Sequence, residues 1–158
     1  MALTKDVNSY ATVGEADSYF ADKLDVAAWD AADATAKAKS LVTATSLLEG
    51  MNWGGVAVSE SQALSFPRSG TYFDPRLGYE TELPSIVPDR ILKATFELAY
   101  HLQNNDGLLD NTGSVKNLTI GSLSLQGVRA ASEIPSTVSR LVQPLLANGG
   151  SRQWWRAN

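Results

Sequence analysis

Apolar residues recur at intervals of three or four in four segments of the chain, and this spacing predicts four helices. The first spans residues 12–25, the second 34–49, a third starts at Pro88, and the last starts near Pro135. Proline suits the first turn of a helix, where its missing amide hydrogen is not needed. Pro144, in contrast, lies inside the last predicted helix and would kink or end it.

The first predicted helix opens with the pattern of a capping box. Thr12 precedes Glu15 by three residues, so each side chain can bond to the backbone amide of the other. The apolar residues that follow repeat at helical spacing: Val13, Ala16, Phe20 and Leu24. Trp29 lies between the first two helices, and we expect it to wedge into their junction.

Over residues 114–128 the pattern changes to an alternation of apolar and polar positions, which predicts a β-hairpin. Gly121 and Ser122 interrupt the alternation, as is typical of a tight turn. The apolar positions on either side are Leu118, Ile120, Leu123 and Leu125. A lone hairpin is marginally stable in water, so this one needs something to pair with or pack on.

Residues 50–87 combine many Gly, Pro and Ser residues with aromatic side chains. Flexible linkers do not carry so many aromatics, and a long loop inside a compact domain is usually functional. The aromatic residues are Trp53, Phe66, Tyr72, Phe73 and Tyr79. The composition predicts an ordered long loop that is packed by its own side chains or by a partner.

Within that loop, Phe66-Pro67-Arg68 has two interpretations. The first is a turn that Pro67 pre-sets and that leaves Arg68 exposed. The second is a fixed loop whose Arg68 contacts a neighbouring subunit.

Length and composition favour one domain: the chain has 158 residues, of which 44% are hydrophobic. It has no cysteine, which excludes disulfides and cysteine-based zinc sites. The first ten residues contain no apolar run, and no stretch approaches the ~20 apolar residues of a membrane span. We therefore expect a soluble protein that is made in the cytoplasm and has no membrane partner. The formal net charge of −4 argues against a protein whose whole surface binds nucleic acid.

No set of residues has the spacing of a catalytic or metal site. His101 is the only histidine, and a lone helical histidine is more often a surface or core-edge residue than a catalyst, because acid–base work needs an orienting partner. The chain lacks the H-E-x-x-H, calcium-loop, G-x-S-x-G and glycine-rich phosphate-binding motifs. We predict that the protein is not an enzyme and uses no metal and no cofactor.

The last ten residues, 149–158, place Trp154 and Trp155 between two arginines, after a Gly149-Gly150 hinge. Adjacent exposed tryptophans need burial somewhere. Either the tail folds back on its own core or it docks into a partner. The hinge gives the tail reach, and tryptophan and arginine are favoured interface anchors, so the pattern favours the partner.

An ordered series of short segments along residues 10–147 is similar to one known family. The segments are, in chain order, Tyr10-Ala11-Thr12-Val13, Glu15-Ala16-Asp17-Ser18-Tyr19-Phe20, Trp29, Lys39-Ser40-Leu41-Val42-Thr43-Ala44-Thr45, Leu47-Leu48, Trp53-Gly54-Gly55, Gln62-Ala63-Leu64-Ser65-Phe66-Pro67-Arg68, Ile86-Val87-Pro88, Lys93-Ala94, Glu97-Leu98-Ala99, Arg140-Leu141-Val142 and Pro144-Leu145-Leu146. The series resembles the head–tail connector or adaptor proteins of tailed bacteriophages. Some members of that family carry the label of a DnaT-like single-stranded-DNA-binding protein.

The sequence pattern and the resemblance together predict a mainly α fold: a small bundle of about four helices with a β-hairpin, a long ordered loop and an extended C-terminal tail. Residues 1–148 would form the helical adaptor domain, with the loop 50–87 and the hairpin 114–128. Residues 149–158 lie outside the resemblance, and their tryptophans and arginines predict a docking tail. Such adaptors assemble as a homo-oligomeric ring, usually a dodecamer, in the neck of the virion. The ring lies beneath the portal protein, joins it to the stopper or tail-completion protein and extends the channel, through which double-stranded DNA passes without specific binding.

This interpretation assigns three groups of site residues. Contacts with neighbouring subunits are expected from Trp53, Phe66, Arg68, Tyr72, Phe73, Leu118, Ile120, Leu123 and Leu125. Portal binding is expected from Arg152, Gln153, Trp154, Trp155 and Arg156. The channel is expected to be lined by Asp17, Asp22 and Asp25, because basic residues there would hold the phosphates of passing DNA.

A second hypothesis is a replication-type single-stranded-DNA-binding protein, as the other family label suggests. Such a protein stacks bases on aromatic side chains in a basic groove. The candidate aromatics are Trp53, Tyr72, Phe73, Trp154 and Trp155. The net acidity of the chain and the scarcity of lysine near these residues count against it.

Overall fold

The computed structural model describes residues 2–104 and 134–147, together with the backbone of two strands, 117–120 and 123–126. The helices in these residues are α1 (Val13–Ala21), α2 (Ala27–Ala31), α3 (Ala34–Glu49), α4 (Asp89–Asn104) and α5 (Ser136–Val142), and α5 continues into a 3₁₀ turn, Gln143–Leu145. The strands are β1 (Val56–Ala57), β2 (Arg68–Ser69), β3 (Thr71–Asp74), β4 (Tyr79–Glu82), β5 (Asn117–Ile120) and β6 (Leu123–Gln126).

Helix α4 is the centre of the bundle, since α2, α3 and α5 all pack against it. Apolar residues repeat along its buried face at helical spacing: Ile91, Ala94, Leu98, Ala99 and Leu102. Thr95 is also buried there, and its hydroxyl donates to the carbonyl oxygen of Ile91 at 2.9 Å. The predicted third helix is thus confirmed, and its amphipathic pattern places it in the core.

The first helix is shorter than the sequence predicted. The capping box of Thr12 and Glu15 is confirmed, but α1 ends at Ala21 and not at residue 25. The backbone of Asp25 adopts φ of 57°, a left-handed conformation that a helix cannot continue through. The expectation that Leu24 belongs to the apolar face is therefore wrong, and its side chain is 96% exposed.

A further helix, α2, was missed because five residues are too few to show a helical period. It carries Trp29, which is buried and packs on Phe20 with ring centroids 4.7 Å apart. The expected wedge between the first two predicted helices is confirmed. The described residues thus contain five α-helices, where the sequence predicted about four.

The bounds 34–49 of the second predicted helix are confirmed, and Asp33 caps it by accepting from the amide of Ala36 at 2.7 Å. The effect expected of Pro144 is also confirmed. Helix α5 ends at Val142, and Pro144 lies in the 3₁₀ turn that follows.

The loop 50–87 contains two small antiparallel ribbons that the sequence did not predict: β1 pairs with β2, and β3 pairs with β4. Strands of two and four residues are too short for a clear alternation. The predicted hairpin 114–128 is confirmed in β5 and β6, where the register pairs Leu118 with Leu125 and Ile120 with Leu123.

Within the described residues, every helix is too short or too polar to cross a membrane.

A candidate interaction surface on the hairpin arm

The segment between α3 and α4 forms a folded arm, residues 54–87, and the base of this arm is held in the core. Trp53 and Phe66 are both buried, and their ring centroids lie 5.1 Å apart in an edge arrangement. The indole of Trp53 donates to the carbonyl oxygen of Leu48 at 3.1 Å. The structure therefore corrects two of the expected interface residues: Trp53 and Phe66 belong to the core of their own chain and are not presented at its surface.

A carboxylate at the end of α3 fixes the base of the arm. Glu49 accepts hydrogen bonds from the backbone amide of Ser65 at 2.9 Å, from the Ser65 hydroxyl at 2.8 Å and from the hydroxyl of Tyr10. Burial, followed by the nearby Glu49 carboxylate, raises the pKa of the Tyr10 phenol, which therefore stays protonated. Sequence reasoning missed this cluster because its three members are far apart in the chain.

The guanidinium of Arg68 closes the base of the arm. It donates to the carbonyl oxygens of Gly54 and Gly55 at 2.6 Å each, and more weakly to that of Ser65 at 3.4 Å. Both earlier interpretations of Phe66-Pro67-Arg68 need revision. The loop is fixed, but its arginine binds backbone of the same chain.

Two glycines allow the backbone to cross itself beside Arg68. Gly55 has φ of 69° and Gly70 has φ of 133°. A Cβ on Gly55 would overlap the carbonyl oxygen of Ser69, and a Cβ on Gly70 would lie 3.1 Å from the Cα of Gly55. The arm can therefore take this path only with glycine at both positions.

Replacing Gly55 by alanine is expected to lower the free energy of unfolding by roughly 2 kcal/mol or more, since the left-handed φ alone costs about 1–2 kcal/mol and the backbone overlap adds to it. Urea denaturation of the variant measures the loss. The matched control is Gly78→Ala, because Gly78 has φ of 78° and no atom within 4 Å of its added Cβ. Equal losses in the two variants would contradict the close crossing at Gly55.

One face of the β3–β4 ribbon carries four exposed side chains. The register pairs Phe73 with Glu80 and Thr71 with Glu82, so these four side chains share a face, which we name the Phe73 face. All four are exposed, and Phe73 is 44% exposed. Glu80 and Glu82 form no ion pair within the described part of the chain.

The arm also carries most of the exposed apolar surface. Of the eight large apolar side chains that are exposed in the described residues, only two lie elsewhere, so the arm and not the bundle presents a contact surface. The six on the arm are Val56, Val58, Phe73, Leu77, Tyr79 and Ile86.

The opposite face of the ribbon is anchored to α4 through Asp74. The Asp74 carboxylate is buried and accepts from the backbone amide of Arg76 at 2.9 Å, from the Tyr72 hydroxyl at 3.2 Å and from the Arg90 guanidinium at 3.4 Å. The amide of Arg76 makes the largest contribution to lowering the pKa of Asp74, which therefore remains ionised at neutral pH. Tyr72, a predicted interface residue, is half-buried, and its hydroxyl is one of the donors that hold Asp74 in place.

A cleft of about 510 Å³ separates this anchored face from α4. Its lining includes the aromatic ring of Tyr72, three cations (Arg76, Arg90 and Lys93) and three carboxylates (Asp74, Glu82 and Asp89). Each of the three cations lies within 4.0 Å of Asp74 or Asp89. The cleft combines an aromatic ring with cations but has no excess of positive charge.

A second depression, about 380 Å³, lies on the Phe73 side of the ribbon, and we name it the hairpin groove. One wall is formed by the ribbon, with Thr71, Phe73 and Glu80, and the other by the end of the described chain, Pro144–Ala147. Leu83 also contributes to the lining. The groove thus offers apolar side chains and one carboxylate within a lining that is mostly polar.

The three acids predicted to line a channel have different surroundings. Asp17 accepts from the Trp29 indole and from the Lys37 ammonium, both at 2.9 Å, and the Lys37 ammonium holds the pKa of Asp17 below its usual value. Asp22 and Asp25 are exposed and flank Leu24. Asp17 therefore links α1 to α2 and α3, whereas Asp22 and Asp25 face solvent.

The remaining predicted site residues lie outside the described side chains. The tail residues Arg152, Gln153, Trp154, Trp155 and Arg156 are not among the described residues. For Leu118, Ile120, Leu123 and Leu125 the structure gives the backbone register alone.

The described residues contain no group of three or more His, Asp or Glu side chains that could hold a metal ion. His101 is half-buried on α4. In this part of the chain the notable polar clusters, around Glu49 and around Asp74, connect backbone segments to one another.

Comparison with known proteins yields one match. A family model with the description "Putative DnaT-like ssDNA binding protein" matches residues 2–157. No curated protein and no solved structure matches the chain.

Proposed function

This chain belongs to the DnaT-like ssDNA-binding protein family, and we propose, from its resemblance to head–tail connector proteins and from the exposed apolar side chains of its arm, that it is a non-enzymatic adaptor in the head–tail neck of a tailed bacteriophage. Its copies form a ring, with twelve as the number that the resemblance implies, beneath the portal protein. The ring joins the portal to the stopper or tail-completion protein and extends the channel for double-stranded DNA.

The observation that carries this proposal is the apolar surface of the arm. A ring needs two different surfaces on each subunit, one of which contacts the next copy. The arm projects Phe73 and five other large apolar side chains from a base that Arg68 and Glu49 hold fixed. Exposed apolar side chains on a fixed arm support contact with another protein more than contact with DNA phosphates.

The charge of the arm supports the same proposal. Glu80 and Glu82 on the Phe73 face, and the exposed Glu60 elsewhere on the arm, would repel a phosphate backbone. In the adaptor, the exposed Asp22 and Asp25 are proposed to face the channel, where they would let DNA slide. Asp17 would support them by holding α1 against α2 and α3.

The C-terminal tail is proposed to bind the portal. Deleting residues 149–158 is expected to leave a folded subunit that no longer binds portal, because none of the described core contacts needs the tail. Co-sedimentation with portal measures binding, and circular dichroism measures folding. Trp154→Ala with Trp155→Ala, at full length, should reproduce the loss. Retained binding by the truncated chain would contradict this role.

A second candidate function is binding of single-stranded DNA, which the family description favours. The cleft between the ribbon and α4 is its best location, since Tyr72 could stack on a base there beside Arg76 and Lys93. The equal number of carboxylates in the lining argues against strong binding of phosphates.

One experiment separates the two functions. The purified protein is mixed with portal and imaged, and in parallel it is titrated with single-stranded DNA at low salt. The adaptor predicts a complex with portal and no DNA affinity. Tight DNA binding that weakens steeply with salt, and that Arg76→Ala with Lys93→Ala abolishes, would favour the second candidate.

A further inference from the structure

The hairpin groove lies where the described chain ends. Pro144–Ala147 form one of its walls, and the backbone of this wall is fixed: Gly54 donates to the carbonyl oxygen of Leu145 at 2.8 Å, and Ala147 donates to that of Asn52 at 2.9 Å. Eleven residues, 148–158, follow this wall in the sequence. Whatever their path, they start at the edge of the groove.

The chemistry of those residues complements the groove. Residues 148–158 contain Arg152 and Arg156 and no acid, and they contain two adjacent tryptophans. The groove presents the Glu80 carboxylate beside Phe73, and Glu80 has no cation within ion-pair distance in the described part of the chain. An arginine–carboxylate pair is a strong charge-assisted contact, and an aromatic ring packs favourably on another.

We infer that the hairpin groove is the docking site of the C-terminal segment 151–158 of the same chain in the free subunit. Three residues, 148–150, separate the groove wall from this segment, and they span at most ~11 Å. Two of the three are glycines, and Asn148-Gly149 is a dipeptide that favours a tight chain reversal. A segment tethered this closely has an effective concentration of about a millimolar, so intramolecular docking wins over capture by a second copy.

This docking would regulate assembly, a consequence that rests on the proposed function. The docked segment covers Phe73, which the neighbouring subunit needs in the ring. When the portal binds the segment, the segment leaves the groove and Phe73 becomes exposed. This exposure occurs at the portal, where the ring has to form. Subunits would then remain monomeric until a portal is present.

Disulfide trapping tests the docking in the full-length free protein, because the natural chain has no cysteine. Thr71→Cys places a thiol on the exposed groove wall, and Gln153→Cys places one in the tail without changing its charge. Mild oxidation is expected to give an intramolecular disulfide at least tenfold faster than in the control pair Ser59→Cys with Gln153→Cys. Ser59 is exposed on the same arm but does not line the groove.

A charge test accompanies the trapping. Adding Glu80→Lys should slow formation of the Thr71–Gln153 disulfide several-fold, and adding Arg152→Glu and Arg156→Glu should restore the rate. Equal rates in the groove pair and the control pair, or disulfides formed only between two chains, would overturn the inference. Portal binding is not measured here, so this failure is distinct from a failure of the proposed function.

Discussion

Replacing Phe73 by aspartate is expected to abolish ring assembly while the subunit stays folded. Truncating a central aromatic contact typically costs about 2 kcal/mol or more per interface, which corresponds to roughly 30-fold in affinity. Aspartate adds a third negative charge to a face that already carries Glu80 and Glu82, and the loss recurs at each contact around the ring. Light scattering and imaging of the portal mixture measure the assembly.

The matched control is Leu24→Asp, which places the same charge on an apolar side chain that is 96% exposed and lies outside the arm, between α1 and α2. This control should assemble like the natural chain. Both variants should stay folded and lose no more than about 1 kcal/mol of unfolding free energy, because both side chains are exposed. Normal rings from Phe73→Asp, or equal loss from Leu24→Asp, would contradict a role of the arm in subunit contact.

Replacing Trp53 by alanine is expected to lower the free energy of unfolding by about 3–5 kcal/mol, as large-to-small changes of buried aromatic residues do. The indole is 6% exposed, packs on Phe66 and donates to Leu48, so the change leaves a cavity at the base of the arm. Guanidinium denaturation, followed by circular dichroism, measures the loss.

Phe73→Ala is the control for the Trp53 variant, since it also removes an aromatic side chain of the same segment. It should cost less than about 1 kcal/mol, because its ring is partly in water already. A similar cost at both positions would mean that the base of the arm is not packed as described. The pair compares Trp53, which packs at the base of the arm, with Phe73, an aromatic side chain that the arm exposes.

The sequence predicted the bundle well where the apolar period is long. Helices α3 and α4 have 16 residues each, enough for several repeats of the helical period, and Asp33 and Pro88 mark their starts. It failed where an element is too short to show several repeats of its period. Helix α2 has five residues, and the strands β1 and β2 have two residues each. Long-range contacts stabilise these short elements: Trp29 of α2 donates to Asp17, and Arg68 of β2 donates to the carbonyl oxygen of Gly54.

The candidate site was only partly predictable, because composition does not say which aromatics are buried. Trp53, Phe66 and Phe73 look equivalent in the sequence, yet two of them pack into the core and one faces solvent. Their difference comes from partners that are distant in the chain, chiefly Tyr10 and Glu49. The strand register of β3 and β4, which was not foreseen, is what assigns Phe73 to the exposed face.

The most direct test of the central claim is a density map of this protein bound to portal. The account predicts a closed ring beneath the portal, with the Phe73 face of each hairpin arm buried at the boundary with the next subunit. A map without a ring, or one in which every Phe73 faces solvent on the outer rim, would contradict it.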